Sequence, residues 1–333
     1  MYEDEFELTF NLSGEEPQPE QAAQEPPVPP KPKAAAPVVD EPTRVMVLEK
    51  PQPAPQPEMP EPVQEEPEKT PAPTVQAAAN GRCVLISGGD RGIGAAAARA
   101  FYAAGYRVAV LYHSNAEAAA ALEAELPGIT AVQCDVASRA SCELAFRTAE
   151  QALGRVDVLV NNACITRRGI LSGCSFEEFN EVLRVGVSAP YLLSLLFRDH
   201  FSRGASIVNI ASTRASMSQK DTESYSAAKG ALTSLTHALA MSLSPFGVRV
   251  NSVSPGWIDT GVFGVLSPED AFQHPSGRVG SPEDIVKAVF FLCGSSFVNA
   301  ENLVIDGGMS RMMVYHGDEG WSFHPEQSDS VPS

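Results

Sequence analysis

From Gly81 onward, seven short apolar runs recur along the chain with helical stretches between them. They are 82–87, 106–112, 129–134, 156–161, 205–211, 248–254 and 302–305. Runs this short read as strands, and strands that alternate with helices form a parallel sheet covered on both faces. The first two intervening helices are expected at 92–104 and 116–126. The spacing leaves no room for a second folded domain and shows no internal repeat, so the region is read as one α/β domain.

The residues before Gly81 have a different composition. They hold 18 of the 27 prolines and 16 acidic residues against 5 basic ones, most of the net charge of −17. Such a segment buries too little apolar surface to offset its ordering entropy, so 1–80 is expected to be a disordered, locally extended tail. Two apolar patches interrupt it: Phe6, Leu8, Phe10 and Leu12, and then Val45, Val47 and Leu48. Either patch could add a strand to the sheet edge of an unknown partner; a plain unbound tail is the simpler reading. Residues 316–333 read as a flexible C-terminal tail. The acidic balance argues against nucleic acid, no apolar run reaches membrane-spanning length, and the acidic start is unlike a secretory or mitochondrial signal. The six cysteines show no C-x-x-C pair or zinc-like spacing, so no metal site is expected and most should be small buried residues of a cytoplasmic protein.

The first strand runs into Gly88-Gly-Asp90-Arg91-Gly92-Ile93-Gly94. Glycines at a strand-to-helix turn let backbone N–H groups approach a pyrophosphate, and the helix N-terminus favours its charge. The spacing is G-x-x-x-G-x-G rather than G-x-G-x-x-G. After the second strand come Tyr112, His113 and Ser114, with no carboxylate for a ribose diol. Arg91 and Ser114 could instead meet a 2′-phosphate. NADP(H) is therefore expected over NAD(H), although a merely solvated Arg91 would leave the protein unselective.

Tyr225 and Lys229 lie four apart, one turn along a helix, and Ser212 lies thirteen positions before the tyrosine. A free tyrosine has a pKa of about 10. A neighbouring ammonium that lowers it makes the phenol useful as an acid or base near neutrality.

Taken in order, these motifs resemble the short-chain dehydrogenase/reductase family over residues 81–315. Asp135, with Val136, matches the acid that contacts adenine. Asn161-Asn-Ala163-Cys164 resembles the N-N-A-G motif, and Asp306-Gly-Gly308 the C-terminal D-G-G. Pro255-Gly256-Trp257-Ile258-Asp259-Thr260 resembles the turn against the nicotinamide. The resemblance implies a Rossmann-type, doubly wound parallel sheet of about seven strands, and cofactor contacts by these residues and by Tyr225 and Lys229. It also implies a homotetramer built on the long helices around the fifth strand. Tyr225 would be the proton donor, Ser212 would orient the carbonyl, and Lys229 would lower the tyrosine pKa and hold the ribose. The substrates implied are carbonyls or alcohols, such as those of 3-oxoacyl-acyl-carrier-protein reductase or glucose dehydrogenase.

Two positions depart from the pattern. Gly186 stands where the family often has an asparagine that holds a relay water, and Cys164 replaces the glycine of N-N-A-G. Gly186 and the long tail keep a second reading open, an NADP(H)-binding sensor or scaffold with little catalysis. A sugar-nucleotide epimerase is disfavoured by the glycine spacing and by the compact length.

The remaining candidates are less specific. Arg214 reads either as a cation over the substrate cleft or as a surface arginine, and His237 as an interface or core residue. Phe263, Val265, Leu266, Phe272 and His274 fall where a mobile substrate lid would place pocket walls, or pack a short helix. Ser281-Pro-Glu-Asp284 reads as a helix start.

Overall fold

In the computed structural model, residues 81–261, 264–267, 270–271 and 273–313 are described. All seven apolar runs become strands of one parallel sheet: β1 (Cys83–Ser87), β2 (Arg107–Tyr112), β3 (Thr130–Gln133), β4 (Val156–Asn161), β5 (Phe201–Ile210), β6 (Arg249–Pro255) and β7 (Asn302–Ile305). Their order across the sheet is β3-β2-β1-β4-β5-β6-β7. The chain winds outward from β1 to β3, returns to place β4 beside β1, and winds out the other way. This is the doubly wound topology expected.

The strand sequences are largely apolar because most of their residues are buried on both faces. Val84 and Ile86 enter a core with α1 (Gly92–Ala103), α2 (Ala116–Glu125) and α7 (Pro282–Gly294). Cys83 and Leu85 point into the opposite core, with α3 (Arg139–Leu153), α5 (Ala189–Leu196) and α6 (Glu223–Leu243). In the first core Phe101 stacks on Phe290 at 4.5 Å between ring centroids.

Local chemistry sets the helix ends. Asn115 and Ser138 cap α2 and α3 by accepting from Ala118 N–H and Ser141 N–H. Ser175 and Glu178 form a capping box that starts α4 (Phe176–Leu183). Ser281 and Asp284 do the same for α7, with Pro282 in its first turn, as expected. Helix bounds fall within a residue of those expected. β5 begins four residues earlier than expected, at Phe201, because its first residues include Ser202, Arg203 and Gly204, which carry no apolar signal. That start pairs Phe201 with Val156 across an irregularity in the ladder.

Ahead of β5 lies a second difference. α4 does not pass directly into α5. A five-residue π turn, Arg184–Ser188, joins them and contains Gly186. No helix among the described residues is long and apolar enough to cross a membrane. Four cysteines are buried (Cys83, Cys134, Cys142 and Cys293), while Cys174 is half-buried and Cys164 exposed. The expected tails 1–80 and 316–333, with the patches at Phe6 and Val45, lie outside the described residues. So do Phe263 and Phe272.

Candidate active site

The reversal of strand order between β1 and β4 opens a crevice at their C-terminal ends, the place where doubly wound sheets bind ligands. The glycine loop leaves β1 there, and Asn161-Asn-Ala163 ends β4 beside it. Gly88 has φ +62°, and a Cβ on it would lie 2.9 Å from Ala163 Cα. Gly92 has φ +53° and packs against Thr260, which brings the turn after β6 over the loop. A Cβ on Gly94 would collide with the Gly88 carbonyl and lie 2.7 Å from Asn162 Nδ2. The loop is closed on itself this tightly because Asn162 Nδ2 donates to Gly88 O at 2.8 Å and to Ser87 O at 3.2 Å. Ser87 Oγ in turn accepts from Asn162 N–H and Ala163 N–H, both at 3.1 Å. Arg91 is the residue before α1, and its side chain does not cap the helix. The helix start is thus free of a side-chain cap, in a cradle that side chains would fill. These residues fit the pyrophosphate of a dinucleotide.

The remaining cofactor candidates surround that crevice. β1 and β2 pair in register to Ser87 and Leu111; Tyr112 ends β2 opposite Gln133 of β3, and His113 and Ser114 leave the sheet after it. His113 and Ser114 are exposed, as is Arg91. Asp135 is exposed and its Oδ1 accepts from Ala137 N–H at 2.9 Å, while Val136 is buried. Asp90 and Ile93 are half-buried in the loop. Pro255 ends β6 opposite Ile305, and a Cβ on Gly256 would lie 2.7 Å from Asp306 Cβ. Asp306 therefore buttresses the Pro255-Gly256-Ile258 turn from behind. Its carboxylate accepts from Gly308 N–H at 2.9 Å and Ser310 N–H at 2.8 Å. Burial works to raise its pKa, but the hydrogen bonds from Ser310 and Gly308 hold it below the usual carboxylate range.

Asn161 sits differently from its neighbours. It is 3% exposed and donates from Nδ2 to Asn209 Oδ1 at 2.8 Å. Asn209 Nδ2 donates to Thr236 Oγ1 at 2.9 Å, and Thr236 Oγ1 donates to Leu232 O at 2.8 Å. This buried chain ties β4 to β5 and β5 to α6.

That tie seats the helix that carries Tyr225 and Lys229. Lys229 is 2% exposed, and its Nζ donates to Ile210 O, the last residue of β5, at 2.6 Å. The same Nζ lies 5.4 Å from the centroid of the Tyr225 ring, one turn earlier on α6. Ser212 lies two residues past Ile210, just beyond the strand. There its Oγ accepts from Arg214 N–H at 3.1 Å and starts a short 3-10 turn. Serine, tyrosine and lysine are thus brought to one end of the sheet through a single backbone carbonyl.

Beyond Ser212, Asp221 clips two loops together. Its Oδ1 accepts from Leu171 N–H at 2.9 Å and Ser172 N–H at 3.1 Å, and Ser172 Oγ also bonds its carboxylate. Asp221 adopts φ +65°, a conformation that aspartate tolerates better than most residues. The Arg214 guanidinium bonds Gln219 within its own loop. His237 is exposed on α6, which removes the core reading. Val265 is fully exposed and walls no pocket, and Leu266 is half-buried. His274 is buried against Trp257 at 6.5 Å and lines a cavity of about 190 Å³ with Ile258, Arg278 and Asp306.

Ser87, Asn162, Asn209, Thr236 and Asp221 were not singled out from the sequence. Asn162 stands within a recognised motif. The others are ordinary polar residues whose partners lie far along the chain.

The model for the family described as enoyl-(acyl carrier protein) reductase matches residues 88–310. The chain is 40% identical to an uncharacterized oxidoreductase of Thermotoga maritima over 252 residues, 71% of this chain and 98% of the relative. It is 37% identical to an acetoacetyl-CoA reductase of Rhizobium meliloti over 236 residues, 68% of this chain and 98% of that one. Among solved structures, a blue fluorescent protein from a metagenomic library, in complex with NADPH, is 34% identical with a TM-score of 0.66. That match covers 70% of this chain and all of the other.

Proposed function

This chain belongs to the short-chain dehydrogenase/reductase family of NAD(P)-dependent oxidoreductases, and on that premise we propose that it reduces a ketone with NADPH, the substrate being a 3-oxoacyl thioester. The observation that carries the reading is the Lys229 ammonium, fixed on Ile210 O at 2.6 Å and 5.4 Å from the Tyr225 ring centroid, with Ser212 two residues past Ile210.

Bound in the crevice, the nicotinamide supplies the hydride. The protein's part is to receive the charge that develops on the carbonyl oxygen. Tyr225 donates its phenolic proton to that oxygen, and the Ser212 hydroxyl hydrogen-bonds it and fixes its place. The Lys229 ammonium stabilises the phenolate left behind. In the reverse direction the phenolate takes the alcohol proton. Arg91, at the uncapped start of α1, and Ser114, just past the end of β2, supply charge and a hydrogen bond for a 2′-phosphate, and no carboxylate follows β2 to bind a ribose diol. This arrangement favours NADPH, and the NADPH complex of the metagenomic relative agrees with it. The thioester class is supported by the acetoacetyl-CoA reductase relative, since acetoacetyl-CoA is itself a 3-oxoacyl thioester. A homotetramer accompanies this reading, with gel filtration as its test: a monomer mass removes it.

The deciding experiment is oxidation of NADPH and NADH by the purified protein with acetoacetyl-CoA, diketones and sugar-derived ketones, with Tyr225→Phe alongside. Turnover should favour NADPH and fall by about 10²–10⁴-fold in the variant, the usual worth of a positioned proton donor. Cofactor binding should survive. Wild-type turnover by Tyr225→Phe overturns the assignment. Tight NADPH binding with no turnover on any substrate favours the sensor reading.

A further inference from the structure

Gly186 looks from the sequence like a lost asparagine. Its surroundings describe a different situation. The residue is buried in the π turn Arg184–Ser188, and a Cβ built on it would lie 2.9 Å from Ala228 Cβ. Nonbonded carbons prefer about 3.5–4.0 Å, so even one methyl group does not fit without movement. Ala228 is 1% exposed and directly precedes Lys229 on α6. The same helix is held to β5 by the Lys229 bond to Ile210 O and the Asn209 bond to Thr236. The helix that carries Tyr225 and Lys229 is therefore held by β5 and also meets the π turn, and at 186 and 228 that meeting is between a glycine and an alanine. Interruptions of this kind tend to occur at functional sites, where they re-aim a segment.

We propose that Gly186 and Ala228 are a size-matched pair that sets the seating of α6, making Gly186 a positioning residue for Tyr225 and Lys229. The absent side chain at 186 is then a packing requirement of this protein, and an asparagine there is harmful. The proposal rests on the reading of Tyr225 and Lys229 as the reacting pair. A methyl group at 186 pushes α6 away from the π turn. A misplacement near 1 Å in a reacting group costs about 10²-fold in rate, and a partly absorbed one about tenfold.

The test compares Gly186→Ala, Gly186→Asn, Ala228→Gly and the double variant Gly186→Ala with Ala228→Gly. Turnover, its pH profile, NADPH titration by fluorescence and thermal unfolding of the unliganded protein are measured for each. Gly186→Ala should lower kcat by about tenfold and shift the pH profile, with less change in KM for the ketone. Gly186→Asn should be worse still. The double variant should recover kcat, pH profile, NADPH affinity and unfolding temperature towards those of Ala228→Gly, because the methyl removed from 228 makes room for the one added at 186. Wild-type behaviour by Gly186→Ala overturns the proposal. So does faster turnover by Gly186→Asn, which would mark the position as an open slot. An impaired Gly186→Ala with no recovery in the double variant overturns the pairing. If Tyr225→Phe keeps wild-type turnover, the catalytic reading fails instead. Recovery of unfolding temperature and NADPH affinity in the double variant then still decides whether the contact exists.

Discussion

Replacing Lys229 by Met should separate catalysis from stability. The change keeps an apolar stem of similar length and removes the buried ammonium. Taking the ring centroid as the centre of the phenolate charge, the ammonium lies 5.4 Å away. Unit charges at that separation, at an effective dielectric constant near 20, interact by about 3 kcal/mol, which is roughly 10²-fold in rate. The fold has less to lose. Ile210 O gives up one hydrogen bond, about 1–2 kcal/mol, whereas the desolvation of a buried ammonium, several kcal/mol, is relieved. Turnover should therefore drop about 10²-fold while the unfolding temperature stays level or rises. Ketone reduction with NADPH and thermal unfolding of the same preparations check both halves. An unfolding temperature lower by more than about 5 °C, near 2 kcal/mol for a domain of this size, would show that the lysine is a structural strut. A turnover loss below about tenfold would show that its charge does not reach the reacting phenol.

Three further outcomes are expected. Asn209→Ala, which strips partners from the Asn161 amide and the Thr236 hydroxyl, should cost about 2–4 kcal/mol in urea unfolding, and a cost below about 1 kcal/mol contradicts a stabilising role for these buried hydrogen bonds. Arg91→Ala should weaken NADPH binding by about 10–100-fold and leave NADH binding nearly unchanged, the loss expected for one charged hydrogen bond; equal losses for both cofactors exclude a 2′-phosphate contact. The Asp284 carboxyl is held well below the usual range, first by Arg278 and then by Ser281 N–H. Its folded pKa lies below its unfolded one, so its contribution is complete above the unfolded value, near 4, and fades as pH falls towards the folded value. Because Arg278 is largely exposed, Asp284→Asn should cost no more than about 1 kcal/mol at pH 7 and less at pH 2, where protonation of the unfolded state has removed part of the contribution. An undiminished cost at pH 2 refutes the ionic origin.

The sheet could be read from the sequence because a strand buried on both faces is rich in apolar residues, and all seven strands carry that signal even where polar residues interrupt it, as in Arg249–Pro255. The glycine loop, Tyr225 and Lys229 were visible because each depends on local spacing. Residues that act through distant partners were not. Asn209 needs Asn161 and Thr236, and Asp221 needs a loop fifty residues earlier, before either has a stated purpose. Gly186 was visible as a departure, but its reason was not, because the atom that leaves no room belongs to Ala228 on another helix. Val265 shows the opposite failure. An apolar residue in a stretch expected to line a pocket is fully exposed, since nothing about a valine says which way its backbone turns.

The sheet order also bears on how this protein is made. β1 emerges early in synthesis, yet the residue that braces its loop, Asn162, follows Gly88 by 74 positions. Until β4 slots in beside β1, the loop lacks the clamp that gives it its shape, and the helix holding Tyr225 comes later still. A nascent chain thus passes through a long interval with three parallel strands, an open sheet edge and no nucleotide site, the slow kind of assembly that long-range parallel pairing imposes. Free cofactor can rescue only chains whose synthesis has passed β4, so dinucleotide supply should improve the yield of finished protein without protecting earlier fragments.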